Sequence, residues 1–151
     1  MKPKHFVLLF FGAGAFFYIW QAIFTHEMDM EQDPHSVQST AGEQGTPLVE
    51  VIVPSQLSAA AQAGQQAFEV SCAACHGVNA AGQDGVAPPL VHIIYEPNHH
   101  SDQSFYQAVN YGVRAHHWRF GNMPAIEGVS QSELSDIIAY VRELQRANDI
   151  F

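Results

Sequence analysis

Basic residues are nearly missing from this chain: six Lys and Arg stand against fifteen Asp and Glu in 151 residues. Both lysines, Lys2 and Lys4, fall before residue 27, so residues 27–151 hold four arginines and all fifteen carboxylates, a net charge of 4 − 15 = −11. Such a surface repels phosphate backbones and anionic lipid headgroups, which excludes nucleic acid as an expected partner. It suits solubility, and equally a partner with a basic docking patch. Cysteine is as scarce, with only Cys72 and Cys75. No second cysteine pair exists to complete a zinc site, and no βαβ pattern surrounds the pair as it would a redox dithiol. Charge is absent altogether from residues 6–24, nineteen positions rich in aromatics.

That uncharged run is about the length needed to cross a hydrocarbon core as a helix. It is apolar on all sides, whereas a helix of a globular core is amphipathic. Residues 1–26 therefore read as a single N-terminal transmembrane anchor. A cleaved signal peptide has an apolar centre of about 7–15 residues and a small-x-small cleavage site, which the following THEMDM does not supply. Lys2 and Lys4 put the N-terminus in the cytoplasm, with Tyr18 and Trp20 near the outer interface. The remainder is expected outside a bacterial inner membrane, in the periplasm. Residues 27–54, mostly acids, Pro, Gly, Ser and Gln, form an acidic polar linker that cannot bury enough surface to fold alone. Val49, Val51 and Val53 alternate with other residues, so its end can lie as an extended strap on the folded part. Residues 55–151 make one domain, which is as much as this length supports.

Both cysteines lie in one pentapeptide, Cys72-Ala73-Ala74-Cys75-His76, the C-x-x-C-H pattern of c-type haem attachment. Two residues between the thiols let one short helical turn present both sulfurs to the haem vinyl groups, and the adjacent histidine reaches the iron. One covalently bound haem c is the expected cofactor, on Cys72 and Cys75, with His76 as an axial ligand. Ser58 can cap a helix through AAAQAGQQAFEVS, along which Gly64, Phe68 and Cys72 recur every four residues. Ser130-Gln131-Ser132-Glu133 is a capping box before an apolar stripe of Leu134, Ile137, Ile138, Val141 and Leu144. Between them Ser101-Asp102 can cap a short helix, QSFYQAVNY, ended by Gly112. The domain is expected to be all-α.

Taken together, these features over roughly residues 58–147 resemble the class I cytochrome c family. The resemblance implies that Gly64 lets the last helix cross the first closely, with Phe68, Ile137 and Tyr140 packed beside the crossing. It implies that Pro88, in Pro88-Pro89-Leu90, accepts the proton on the far nitrogen of His76, fixing its tautomer. Gly121-Asn122-Met123-Pro124 looks like the family's axial-methionine loop, so Met123 is implied as the second axial ligand of the iron. Met28 and Met30 fall in the linker, and the rivals in the same loop are His116 and His117. Arg114, Trp118 and Arg119 are implied as partners of the haem propionates, and Leu90 as part of the haem surroundings. Two features fall outside the resemblance. The histidines His92, His99, His100, His116 and His117 are unusually dense: some could bind iron or another metal, but their spacing matches no metal motif, which favours reading them as surface and loop residues. The stretch HIIYEPNHH matches no family element.

The function implied is single-electron transfer without bond chemistry on a small-molecule substrate. The partners implied are redox proteins of a respiratory chain, such as a quinol-oxidising complex or a terminal oxidase. An alternative is a fixed haem c subunit of a membrane oxidoreductase complex. A haem sensor or peroxidase requires an open axial position, and Met123 argues against one.

Overall fold

A computed structural model describes residues 45–151; the expected anchor and the linker up to residue 44 lie outside the described residues. Among the described residues there are four α-helices: α1 Ala59–Ser71, α2 Ala73–His76, α3 Asp102–Tyr111 and α4 Gln131–Ala147. Two 3₁₀ turns, Val78–Ala80 and Ile93–Tyr95, sit in the connections. No strand forms among these residues, only isolated antiparallel bridges at Gln83–Ala87 and Val113–Met123. No helix among them is long and apolar enough to cross a membrane.

The helix ends follow local chemistry. Ser58 accepts the Ala61 amide at the start of α1. At α4 both halves of the capping box form, Ser130 accepting from the Glu133 amide and Glu133 accepting from the Ser130 amide. Hydrogen bonds from Ser130 hold the Glu133 carboxyl below the usual glutamate range. Ser101 occupies the N-cap of α3, but its side chain makes no capping bond. Asp102, one residue on, pairs instead with Arg142 of α4 at 2.8 Å.

The core lies where α1 crosses α4. A Cβ built on Gly64 would stand 1.9 Å from the Asp136 carbonyl oxygen and 2.8 Å from the Ile137 nitrogen, so the backbones touch where only glycine fits. Beside the contact Phe68 meets Tyr140 edge-on, with ring centroids 5.8 Å apart. All five residues of the expected α4 stripe are buried. Two polar residues are buried with them, which the apolar stripe does not foretell. Arg142 donates to Asp102, to the Tyr95 and His100 carbonyls and to the Gln145 side chain. Gln145 donates to the Leu90 and Tyr95 carbonyls at 2.8 and 3.0 Å. A buried guanidinium is tolerable only when its donors are so satisfied. These bonds clamp HIIYEPNHH onto α4 and give that stretch its shape.

The end of the linker also rests on the domain. The amides of Leu48 and Val49 donate to the Ala81 carbonyl, and Asn148 at the end of α4 exchanges two 2.9 Å bonds with the Ile52 backbone. Val51 packs against the main core.

Candidate functional site

The segment after α1 breaks and restarts at Cys72, which closes α1 and opens the single turn of α2. The amides of Cys75 and His76 both point to the Cys72 carbonyl, at 3.1 and 2.9 Å. One turn therefore carries both sulfurs, with Cys72 half-buried, Cys75 exposed and no disulfide between them. Burial, with Cys75 adding to it, pushes the Cys72 thiol up to about 11. Gln83 reaches back across the loop and donates to the carbonyls of Ala73, Ala74 and Cys75, satisfying the end of α2. That role was not foreseen; a glutamine seven residues beyond a motif gives no local signal.

His76 is held by its Nδ1, which lies 2.8 Å from the Pro88 carbonyl. A carbonyl only accepts, so Nδ1 carries the proton and Nε2 is left with its lone pair, as a metal ligand requires. Burial lowers the His76 pKa, against the smaller raising effect of the Pro88 bond, which keeps the ring neutral.

Met123 is positioned by backbone pairing. Its amide and carbonyl each bond with Val113 at 2.9 Å, closing a hairpin over residues 113–123, and the Asn122 side chain accepts the Ala115 amide across it. Gly112 makes the approach possible: at φ +75° it ends α3, and a Cβ there would meet the Met123 carbonyl at 2.6 Å.

Cys72, Cys75, His76 and Met123 share the wall of one cavity of about 640 Å³, within the range of cofactor pockets, roughly 300–1,000 Å³. Pro88, Leu90, Arg114 and Trp118 line it as well, together with Phe68, Phe105, Val109, Leu134 and Ile137. Arg119, grouped with Arg114 and Trp118 by resemblance, is exposed and forms no part of this wall. The rival imidazoles His116 and His117 do line it.

The wall fits a covalently attached haem on three counts. It is chiefly apolar, and two thiols and a pre-oriented imidazole stand on one edge. The Trp118 Nε1 is buried and only weakly engaged with the Tyr95 hydroxyl, a donor that an acceptor such as a propionate would satisfy better. Trp118 does lower the Tyr95 phenol from nearby, against the larger effect of burial that pushes Tyr95 up to about 12.

The dense histidines are not scattered. The rings of His99, His100, His116 and His117 form a cluster with neighbouring centroids 4.2–6.1 Å apart, and all but His99 line the cavity. His92 packs on Trp118 at 5.3 Å. Burial lowers the His92 and His100 pKa values, and for His100 the neighbouring His99, His116 and Arg142 add to the effect.

Among known families, the model described as Cytochrome c matches residues 61–145. Comparisons with curated proteins and with solved structures give no match.

Proposed function

The chain belongs to the cytochrome c family, and on that premise we propose that it is a membrane-tethered single-electron carrier serving redox proteins on the periplasmic side of an inner membrane. Membership of the class I c-type cytochromes brings covalently bound haem c and haem-based electron transfer, which fits a carrier rather than an enzyme. The bound haem supplies the one-electron change of its iron. The observation that carries the reading is the single cavity wall on which Cys72, Cys75, His76 and Met123 meet.

The chain's own residues divide the work. Cys72 and Cys75 hold the haem covalently, and His76, with Nδ1 committed to Pro88, offers Nε2 to the iron. Met123 supplies a thioether sulfur, which favours ferrous over ferric iron and raises the potential. The apolar wall would shield the group from water, while Arg114 and Trp118, which line the cavity, would receive its propionates. Cys75 is exposed, and so are Val70 and Val78 on either side of the motif, at 85 % and 73 %. The attachment edge thus presents a small apolar surface of the kind that transient electron-transfer contacts use. Over residues 27–151 as a whole, the excess of carboxylates over arginines favours a basic partner.

Three experiments test this reading. Replacing Met123 by Ala should remove the near-red charge-transfer absorption of sulfur-ligated ferric haem. It should also lower the reduction potential by on the order of 0.1 V or more, given the roughly 0.8 V range that axial ligands span. A variant that keeps both properties would transfer the role to His116 or His117. In membranes, the haem protein should resist a high-salt wash with an intact mass that includes residues 1–26. Its second-order transfer rate to a basic partner should fall steeply as salt rises. A protein released without those residues overturns the tether, and a salt-independent rate overturns the docking.

A further inference from the structure

Haem-based electron transfer leaves the histidines unexplained. His99 and His100 follow the 3₁₀ turn Ile93–Tyr95, and His117 lies in the hairpin that ends at Met123. They come from two segments of sequence, yet one ring nitrogen from each lies within 4.8 Å of the other two. We propose that His99, His100 and His117 bind a divalent transition-metal cation of the Zn²⁺ or Cu²⁺ type, and that this cation ties the 93–100 segment to the Met123 hairpin.

The donor set selects the class of ion. Three imidazole nitrogens with no carboxylate among them suit zinc, copper or nickel, whereas calcium and magnesium need oxygen ligands. Three histidines with a fourth position left to water is an established zinc arrangement. Nitrogens about 2.0–2.1 Å from a tetrahedral ion stand about 3.3 Å apart. Closing from 4.8 Å thus takes up to about 1.5 Å of side-chain movement. His99, the exposed member, can supply that movement by changing rotamer.

His100 is already set for the task. Its Nδ1 lies 2.6 Å from the Ile94 carbonyl, so Nδ1 carries the proton and Nε2 keeps the lone pair that a metal would take. Metal-binding histidines are commonly oriented by such an outer bond. Its backbone is fixed on both sides, the amide donating to the Glu96 carbonyl at 2.8 Å and the carbonyl accepting from the buried Arg142. The rigid member of the set is therefore tied to α4, while His117 rides on the hairpin with Met123.

The test is calorimetric titration of the chelator-treated holoprotein with Zn²⁺, using Ca²⁺ as the comparison. Saturable binding of one Zn²⁺ per chain is expected, with none for Ca²⁺. His99→Ala and His117→Gln should each weaken it by at least about 10–100-fold, the loss that follows removal of an outer partner alone. His99 is exposed and contributes nothing to the core, so its variant carries no folding risk. The near-red band in His99→Ala, whose side chain is no part of the cavity wall, should match that of the parent. Three results overturn the proposal: no saturable Zn²⁺ binding, parental affinity in both variants, or a parent holoprotein that lacks the near-red band and gains or loses an iron ligand in His117→Gln. The last would put that imidazole on the haem iron instead.

Discussion

The Cys72→Ala, Cys75→Ala double variant should lose its haem completely on denaturing electrophoresis, whereas the parent keeps it. Each sulfur offers one thioether bond, and both sit on the single turn that starts at Cys72. Either single variant retains one bond and should hold haem less efficiently. With both sulfurs removed, only the His76 nitrogen, the Met123 sulfur and the apolar wall remain, and detergent disrupts all three. The loss should extend to the fold. Without the haem, the apolar wall that includes Phe68, Leu134 and Ile137 would face water. The haem-free chain should therefore show reduced helicity and a broadened thermal transition. Haem that remains bound to the double variant through electrophoresis would falsify the attachment site.

Gly64→Ala should produce the largest stability loss of any single methyl addition in the domain. The added carbon meets backbone, not side chain: the Asp136 carbonyl oxygen at 1.9 Å and its carbon at 2.3 Å. Neither can turn aside, so α1 and α4 must separate, loosening Phe68 and Tyr140 with them. Alanine favours the helix itself by about 0.5–1 kcal/mol. Overpacking costs typically about 1–3 kcal/mol and occasionally more, and contact with rigid backbone puts this site at or above the top of that range. A net loss of about 2–3 kcal/mol should lower the melting temperature of the holoprotein by roughly 8–24 °C, at about 4–8 °C per kcal/mol. Gln66→Ala, on the exposed side of the same helix, serves as the control and should change stability by less than about 0.5 kcal/mol. Melting of Gly64→Ala within a few degrees of the parent would mean that the crossing opens at little cost.

The parts of the site that were legible beforehand are those written over a few consecutive residues. Ser58, the Ser130–Glu133 box and the α4 stripe act within one or two helical turns, so their spacing alone places α1 and α4. Helix α3 was legible in extent but not in how it is held, because Asp102 spends its carboxylate on Arg142, forty residues away. Arg142 and Gln145 escaped notice for the same reason. Each lies on α4 where a solvent-facing polar residue is expected, and their partners Leu90, Tyr95 and His100 stand 42–55 residues back along the chain. Gln83 shows the effect over a shorter span, since its amide serves the three carbonyls of α2 only once the intervening loop has folded back.

By itself the sequence determined what kind of site this is. C-x-x-C-H brings two thiols and an imidazole onto one turn, and covalent spacing survives any tertiary arrangement. It also determined that two amphipathic helices flank a loop-rich middle, whereas the place of Gly64 at their crossing, implied by the resemblance, is a matter of the tertiary contact with Asp136 and Ile137. Only the tertiary structure decided which wall each remaining group joins. The Pro88 carbonyl, rather than that of Pro89, orients His76, because the loop after the motif returns at that residue. Arg114 and Trp118 reach the cavity while Arg119 turns to solvent. Histidines seventeen or more positions apart became neighbours because Arg142 clamps one loop and the Val113–Met123 pairing closes the other. Local patterns are set by bonds within a turn, whereas the meeting of two loops depends on every contact that holds each of them in place.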